Sequence, residues 1–397
     1  MDYVSPDSGP EFHTTFDEAP LPAFDPAPSQ DELFARLRLI RSRRVGSATW
    51  RRLLAEHGNA VAALEALPGV AAAAGDTGYR PADEASIRRE VQAARRLGAR
   101  MLAFGTPGYP AELAKTRDPS PILWAQGRIE LLTRTTVAIV GTRNASSLAL
   151  RMARALGRDL AQAGIVVASG LARGVDAVAH DAALPGGTIA VHAGGLDRIY
   201  PAENIDLAAK IAVDGLSISE RPFGLAPQAR DFPRRNRIVA GLSQAVVVVE
   251  AAAKSGSMIT ARDALDEGRE VLAVPGHPFD GRAGGCNLLL RDGATLVRGV
   301  QDILDVLDLM ARSPEAPEPR PEPVAAPQVD ATTTPDTSQL RDRILSLLSP
   351  TPVTQDDLAR DIAASGPVSA NQLALHLSEL ELEGSIARQP GGGLIRA

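Results

Sequence analysis

The stretch Val137–Ser146, VAIVGTRNAS, decides how the fold is read. Four apolar residues, three of them β-branched, end at Gly141, and a helical pattern, LALRMARALGRDLAQAG (148–164), begins just beyond Ser146. An apolar run without polar alternation is a strand buried on both faces, and strand, tight turn and helix in succession make half of a βαβ unit. The turn puts backbone N–H groups and a guanidinium at a helix start, which suits an anion. It lacks the second and third glycines of a dinucleotide fingerprint and the Gly-Lys-Ser/Thr of a nucleoside triphosphate loop.

Outward from this turn the same grammar repeats. IVVASG (165–170), TIAVHAGG (188–195), LSISE (216–220), AVVVVEA (245–251) and EVLAVPG (270–276) read as strands. VDAVAHDAAL (175–184), NIDLAAKIAVDG (204–215), NRIVAGLS (236–243) and SMITARDALDEG (257–268) read as helices between them. Alternation of this kind predicts an α/β fold with a doubly wound parallel sheet, Rossmann-like in outline.

Such sheets bind ligands beyond the carboxyl ends of their strands. There the sequence places Gly141, Thr142 and Arg143; then Ser169, Gly170, Arg173 and Gly174; then Arg198, Tyr200 and Asn204; then Lys254, Ser255, Gly256 and Ser257. Just before the strand at 245 stands FPRRNR, with Phe232, Arg235, Asn236 and Arg237. Glycines let a backbone approach a phosphate, helix N-termini donate to it, and guanidinium groups match its oxygens. Phe232 is suited to stack on a base, a contact that contributes about 1–3 kcal/mol per base in single strands. Cations spread over several loops fit a polyanion better than one nucleotide. Asp176 reads as a helix cap or as a partner orienting Arg173, and Glu250 as a second acid of the same crevice. No Ser-His-Asp set or nucleotide-hydrolysis motif stands out.

The net charge of −6 over 397 residues argues at first against nucleic acid. Its distribution does not. Residues 1–32 hold Asp2, Asp7, Glu11, Asp17, Glu18, Asp25, Asp31 and Glu32 with no Lys or Arg, and 312–338 adds five acids against Arg312 and Arg320. Local field over a patch, rather than the sum, governs binding. No apolar run reaches the roughly 18 residues of a membrane span. The single Cys286 excludes an internal disulfide framework and fits a reducing cytoplasm. Six scattered histidines suggest no metal site, and His180 and His192 read as satisfied core or surface groups.

Five segments follow: a disordered acidic tail, 1–30; a helical domain of helix-hairpin-helix or sterile-alpha-motif type, 31–104; the α/β domain, 105–311; a Pro-rich acidic linker, 312–338; and a helical unit closing on a short hairpin, 339–397, in winged-helix order. Arg41, Arg43 and Arg44 in the first helical domain read as a solvated basic face in preference to DNA contacts. The late helix SANQLALHLSELELEGSIARQ (369–389) is acidic, which favours protein contacts or assembly over major-groove reading.

VAIVGTRNAS, VVASGLARGVDAVAH, GGLDRIYPAEN, SERPFG, FPRRNRIVAGLS, VVVVEAAAKSGSMITARDALDEGREVLAVPG and GGCNLLLRDGA follow one another in an order that resembles the DNA-processing protein A (DprA/Smf) family. GTPGYPAELAKTRDPSPILWAQG (105–127) resembles that family's entry to its central domain, and 358–396 its optional winged helix. The resemblance implies an extended Rossmann domain, single-stranded DNA binding with some duplex binding, a role in natural transformation, and loading of a RecA-type recombinase. It also implies a homodimer without enzymatic activity or cofactor. Arg143, Phe232, Arg235 and Lys254 fall on family motif positions, whereas Ala202 stands where members often carry lysine. Leu288–Leu290 is a dimer candidate by its apolar character and the family's habit. The rival reading is a nucleoside-monophosphate phosphoribohydrolase on a similar sheet, which VVVVEAAAKSGS matches in its Glu250 but not in the required glycine-rich turn.

Overall fold

The computed structural model describes residues 27–312 and, further on, 340–342, 344–345, 348, 355, 358–359, 362, 370–388 and 394–396. The chain divides into two compact units, Met1–Glu315 and Ala316–Ala397. The expected tail lies outside the described residues up to 26, as does the expected linker from 313 to 338.

The first unit begins with four helices, α1 (Gln30–Arg41), α2 (Ser47–His57), α3 (Ala60–Ala73) and α4 (Glu84–Arg96). Three have side-chain caps: Ser29 accepts from the Glu32 N–H at 3.1 Å, Asn59 from Ala62 at 2.9 Å, and Asp83 from Ser86 at 3.0 Å. Each such cap satisfies a donor that the helix itself leaves open. Trp50, Leu39, Leu53 and Leu54 build a core shared by α1, α2 and α3, with the Trp50 indole N–H on the Arg36 carbonyl at 3.2 Å. Ile87 and Ala94 of α4 pack with Leu37 and Trp124 in a separate core.

The α/β part follows as β1 (Arg100–Ala103), α5 (Ala111–Ala114), β2 (Ile122–Gly127), β3 (Thr136–Val140), α6 (Ser147–Gln162), β4 (Val166–Ser169), α7 (Val175–Ala183), β5 (Thr188–Val191), α8 (Ile205–Asp214) and β6 (Leu216–Ser219). It closes with α9 (Asp231–Leu242), β7 (Ala245–Val248), α10 (Gly256–Asp266), β8 (Glu270–Ala273), α11 (Gly284–Arg291), β9 (Thr295–Leu296) and α12 (Val300–Arg312). The sheet runs β1-β2-β6-β5-β4-β3-β7-β8-β9. From β6 to β9 all neighbours are parallel, as the sequence predicts.

The sheet is wider than that parallel block. β1 and β2 pair antiparallel, and β2 adds antiparallel to β6. Their signals are weak because β1 is an edge strand with an exposed Arg100, and β2 follows directly on Pro121. The two-residue β9 is equally short of pattern.

β3 shows why the central strands read as continuous apolar runs. Val137 and Ile139 join one core with α6 and α7, while Ala138 and Val140 join the opposite core with α9, α10 and α11. Successive side chains point to opposite faces, and both faces are covered. Cys286 of α11 lies in the second of these cores, where burial pushes its thiol up to about 11.

In the second unit the helix Ala370–Leu382 precedes the antiparallel pair Ile386–Arg388 and Leu394–Arg396. Leu373, Leu377 and Leu380 of the helix share a core with Ile386, Leu394, Ile344 and Leu358. No helix among the described residues is long and apolar enough to cross a membrane.

Candidate nucleic-acid interface

β3 and β7 are neighbours, but the chain continues from them to opposite sides of the sheet, so their carboxyl ends flank the topological switch point. The two loops that leave them are tied together. The Thr142 N–H donates to the Glu250 carbonyl at 2.6 Å, and the Ser146 N–H donates to the Glu250 carboxylate at 2.9 Å. Ser257 Oγ donates to the Gly141 carbonyl at 2.7 Å. Gly174, with φ of 77°, lets α7 start directly against the Thr142 and Arg143 carbonyls, where a Cβ would collide.

Beside this junction opens a cleft of about 270 Å³, to which Arg143, Gly170, Arg173, Tyr200, Phe232 and Arg235 contribute. These six come from the loops after β3, β4 and β5 and from α9. The Arg143 guanidinium lies 5.1 Å from the centre of the Phe232 ring, and Tyr200 packs on the same ring at 5.5 Å. Cation–π contact holds Arg143 without neutralising it. Arg173 stands 3.4 Å from Glu203, both more than half exposed. A pair this wet contributes at most about 1 kcal/mol, so Arg173 is readily redirected to another anion.

Arg235 is different. It is buried, and its Nη1 donates to the carbonyls of Gly170 and, at 2.8 Å, Val191. Its Nε donates to Asn236 Oδ1 at 3.2 Å. Burial lowers its pKa to about 10, with the Asp176 carboxylate opposing that shift and the Arg143 charge adding to it. It therefore remains a cation at neutral pH. Asp176, held up from its ordinary value by burial, accepts from the N–H groups of Gly170 at 3.2 Å and Ala172 at 3.3 Å. Asp176 thus braces the Gly170–Ala172 turn and faces Arg235, whereas the sequence suggests a helix cap or Arg173 as its partner. Beneath, His180 and His192 are buried and neutral, bonded to Thr188 Oγ1 at 2.7 Å and Ser217 Oγ at 3.1 Å.

Not every residue singled out in the sequence reaches the cleft. Ser169 is buried, its hydroxyl donating to the Ile139 carbonyl at 2.6 Å. Asn204 is buried with its amide on the Leu171 carbonyl at 2.9 Å, supporting a residue whose φ is 55°. Arg237 points to the far side of α9, into ion pairs with Glu220 and Asp118. Arg198 is exposed and lies 3.8 Å from Asp197, outside the cleft. Lys254 is exposed on the loop before α10 and does not line it either. Asn236 ties α9 to the Gly256 carbonyl at 3.4 Å. Ser255 caps α10 without a side-chain bond, and the space around Gly256 is open. Gly170 and Gly141 lack side chains for structural reasons: a Cβ would strike the Arg235 guanidinium in the first case and Val175 in the second.

A family model described as DNA recombination-mediator protein A matches residues 100–308. The chain belongs to that family. A DprA-like N-terminal HHH domain model matches 30–93, and a DprA winged helix domain model matches 315–392. The DNA processing protein DprA of Bacillus subtilis is 41% identical over 224 residues, which cover 56% of this chain and 75% of that one. Protein Smf of Escherichia coli is 39% identical over 290 residues, covering 72% and 74%. The X-ray structure of DNA processing protein A from Streptococcus pneumoniae superposes with a TM-score of 0.53 at 38% identity, covering 56% of this chain and 78% of that one. The Helicobacter pylori protein, solved for its single-stranded DNA binding mode, gives 0.50 at 33% identity, covering 53% and 96%. Within this family frame, Glu203 is the cleft residue that the sequence gives least reason to pick, since it acts through Arg173, which another segment supplies.

Proposed function

We propose that the cleft is a single-stranded DNA site and that the protein acts in transformation and recombination by holding such strands. Arg143 and Arg173 take phosphates there, Phe232 stacks a base, and Arg235 positions the Gly170 turn from beneath. Gly141, Thr142, Gly174, Asn236 and Ser257 hold the loops, while Lys254, Ser255 and Gly256 lie beyond the switch point, where the strand continues. The observation that carries this reading is the meeting of guanidinium groups from three separate segments in one cleft beside the paired Phe232 and Tyr200 rings. The family's description as DNA recombination mediators, and the single-stranded DNA binding of the Helicobacter pylori relative, point the same way. On the same reading the protein is a cytoplasmic homodimer without cofactor or catalytic role. It also meets duplex DNA and passes its strand to a RecA-type recombinase.

The phosphoribohydrolase alternative needs Glu250 free. Here that carboxylate is buried and occupied by the Ser146 N–H at 2.9 Å. Release of free base from a nucleoside monophosphate would restore the alternative.

The test is a titration with labelled oligothymidylate at several salt concentrations. For about four phosphates, log K falls with log salt at a slope near −3. Arg143→Ala weakens binding and flattens that slope by about 0.7. Equal affinity and slope in Arg143→Ala and the parent protein would refute the placement of the site.

A further inference from the structure

We infer that the groove between α4 and the Pro222–Gly224 turn is a second contact for the same strand, an inference that rests on the proposed DNA role of the cleft. The groove encloses about 450 Å³. Arg89 and Arg96 of α4 border it, with Ala93 between them and Phe223 opposite. Seven residues separate the two arginines, which is two helical turns or about 10 Å along the axis. Both are exposed, and neither forms an ion pair among the described residues. The acids around them are already engaged. Glu90 is held by Arg41 at 2.8 Å and by the Trp124 indole at 2.7 Å. Asp197 accepts the Gly224 N–H at 2.7 Å and lies 3.8 Å from Arg198. The groove therefore presents two unneutralised guanidinium groups beside an aromatic ring, and Trp124 fixes that ring edge-on at 5.5 Å. Cations interleaved with an aromatic are the pattern that tracks single-stranded nucleic acid.

Position ties this groove to the cleft. Asp197 borders the groove and Tyr200 borders the cleft. They stand three residues apart in one loop, a span of at most about 11 Å. Arg198 lies between them, exposed, and belongs to neither depression. A strand that leaves the cleft over Tyr200 crosses Arg198 and reaches the groove bordered by Arg89 and Arg96. This path gives Arg198 a role that the cleft alone does not.

The experiment compares the full chain with an Arg89→Gln, Arg96→Gln double variant. Both substitutions are at exposed positions, and an unchanged melting temperature verifies folding. Fluorescence anisotropy is read with oligothymidylates of about 6 and about 30 nucleotides, lengths that bracket a compact single-strand site. Affinity for the long strand should fall about tenfold at low salt, and its salt slope should flatten by about 1.4, two phosphates' worth. Affinity for the short strand should not change, because the cleft alone holds it. Equal losses on both lengths, or no loss on the long strand, would overturn the inference. No loss on the long strand together with lost binding to polyglutamate would assign the groove to an acidic protein and overturn it likewise. Failure of the parent protein to bind the short strand, with the long-strand loss intact, would instead sink the cleft and leave the groove standing.

Discussion

Arg235 belongs to FPRRNR, a run whose Arg234 is exposed, yet its own guanidinium is withdrawn beneath the cleft. There it is the counter-charge of Asp176 and the donor to two loop carbonyls. Removing the guanidinium leaves those buried carbonyls without their donor and takes the facing positive charge from Asp176, at a cost of about 1–3 kcal/mol. Arg235→Ala is therefore expected to lower the unfolding free energy by about that amount in urea titration, and adding Asp176→Asn should recover part of it. A strictly additive double variant would show that the two residues are not coupled.

The neighbouring histidines make stability depend on pH. Burial depresses His180 to about 3, with the His192 and Arg235 charges adding to the shift, and depresses His192 to about 4, with Arg235 adding. Unfolded histidine titrates near 6.5. The neutral rings thus favour the fold fully above pH ~6.5, and that contribution is lost as pH falls toward the folded values, at up to about 1.4 kcal/mol per pH unit for each ring. Asp176, shifted upward by burial, works in the opposite direction near its own titration. Between pH ~7 and ~5 the two histidines together lower the unfolding free energy by about 3 kcal/mol, a fall that Asp176 reduces. Replacing both with glutamine should flatten that dependence in urea titrations at the two pH values.

At the scale of elements, α9 decides which charges converge. Phe232 and Arg235 are one helical turn apart and face the cleft, while Arg237 turns toward Glu220 and Asp118. The run predicts a helix with cations but not which of them is free, because that depends on what packs on each side. α4 shows the same limit. Glu90 looks like a solvated acid in SIRREVQAARR, yet it joins α4 to Arg41 of α1 and Trp124 of β2. Glu90→Ala leaves the Arg41 guanidinium unpaired and should lower stability by about 3 kcal/mol, read as a lower urea midpoint. Glu90→Gln should lose less, since it keeps the acceptor for Trp124.

Across the whole molecule, the two compact units carry separate hydrophobic cores. A chain ending at residue 312 should therefore melt at the same temperature as the first unit does in the full protein, by differential scanning calorimetry. A shift of more than a few degrees would mean that the second unit stabilises the first.

The parallel block of the sheet, its helices and the turn at Gly141 were legible because β-branched runs buried on both faces leave a local pattern that needs no partner to be seen. The glycines and cations at the strand ends were legible as a set for the same reason. The antiparallel edge formed by β1 and β2 was not, since four- and six-residue strands of mixed polarity carry no period. Nor could local pattern separate the open arginines, Arg143 and Arg173, from the buried Arg235 and the ion-paired Arg237. Charge type is a property of the residue, but its availability is set by carboxylates and carbonyls that arrive from segments more than sixty residues away, as Gly170 does for Arg235 and Asp118 for Arg237.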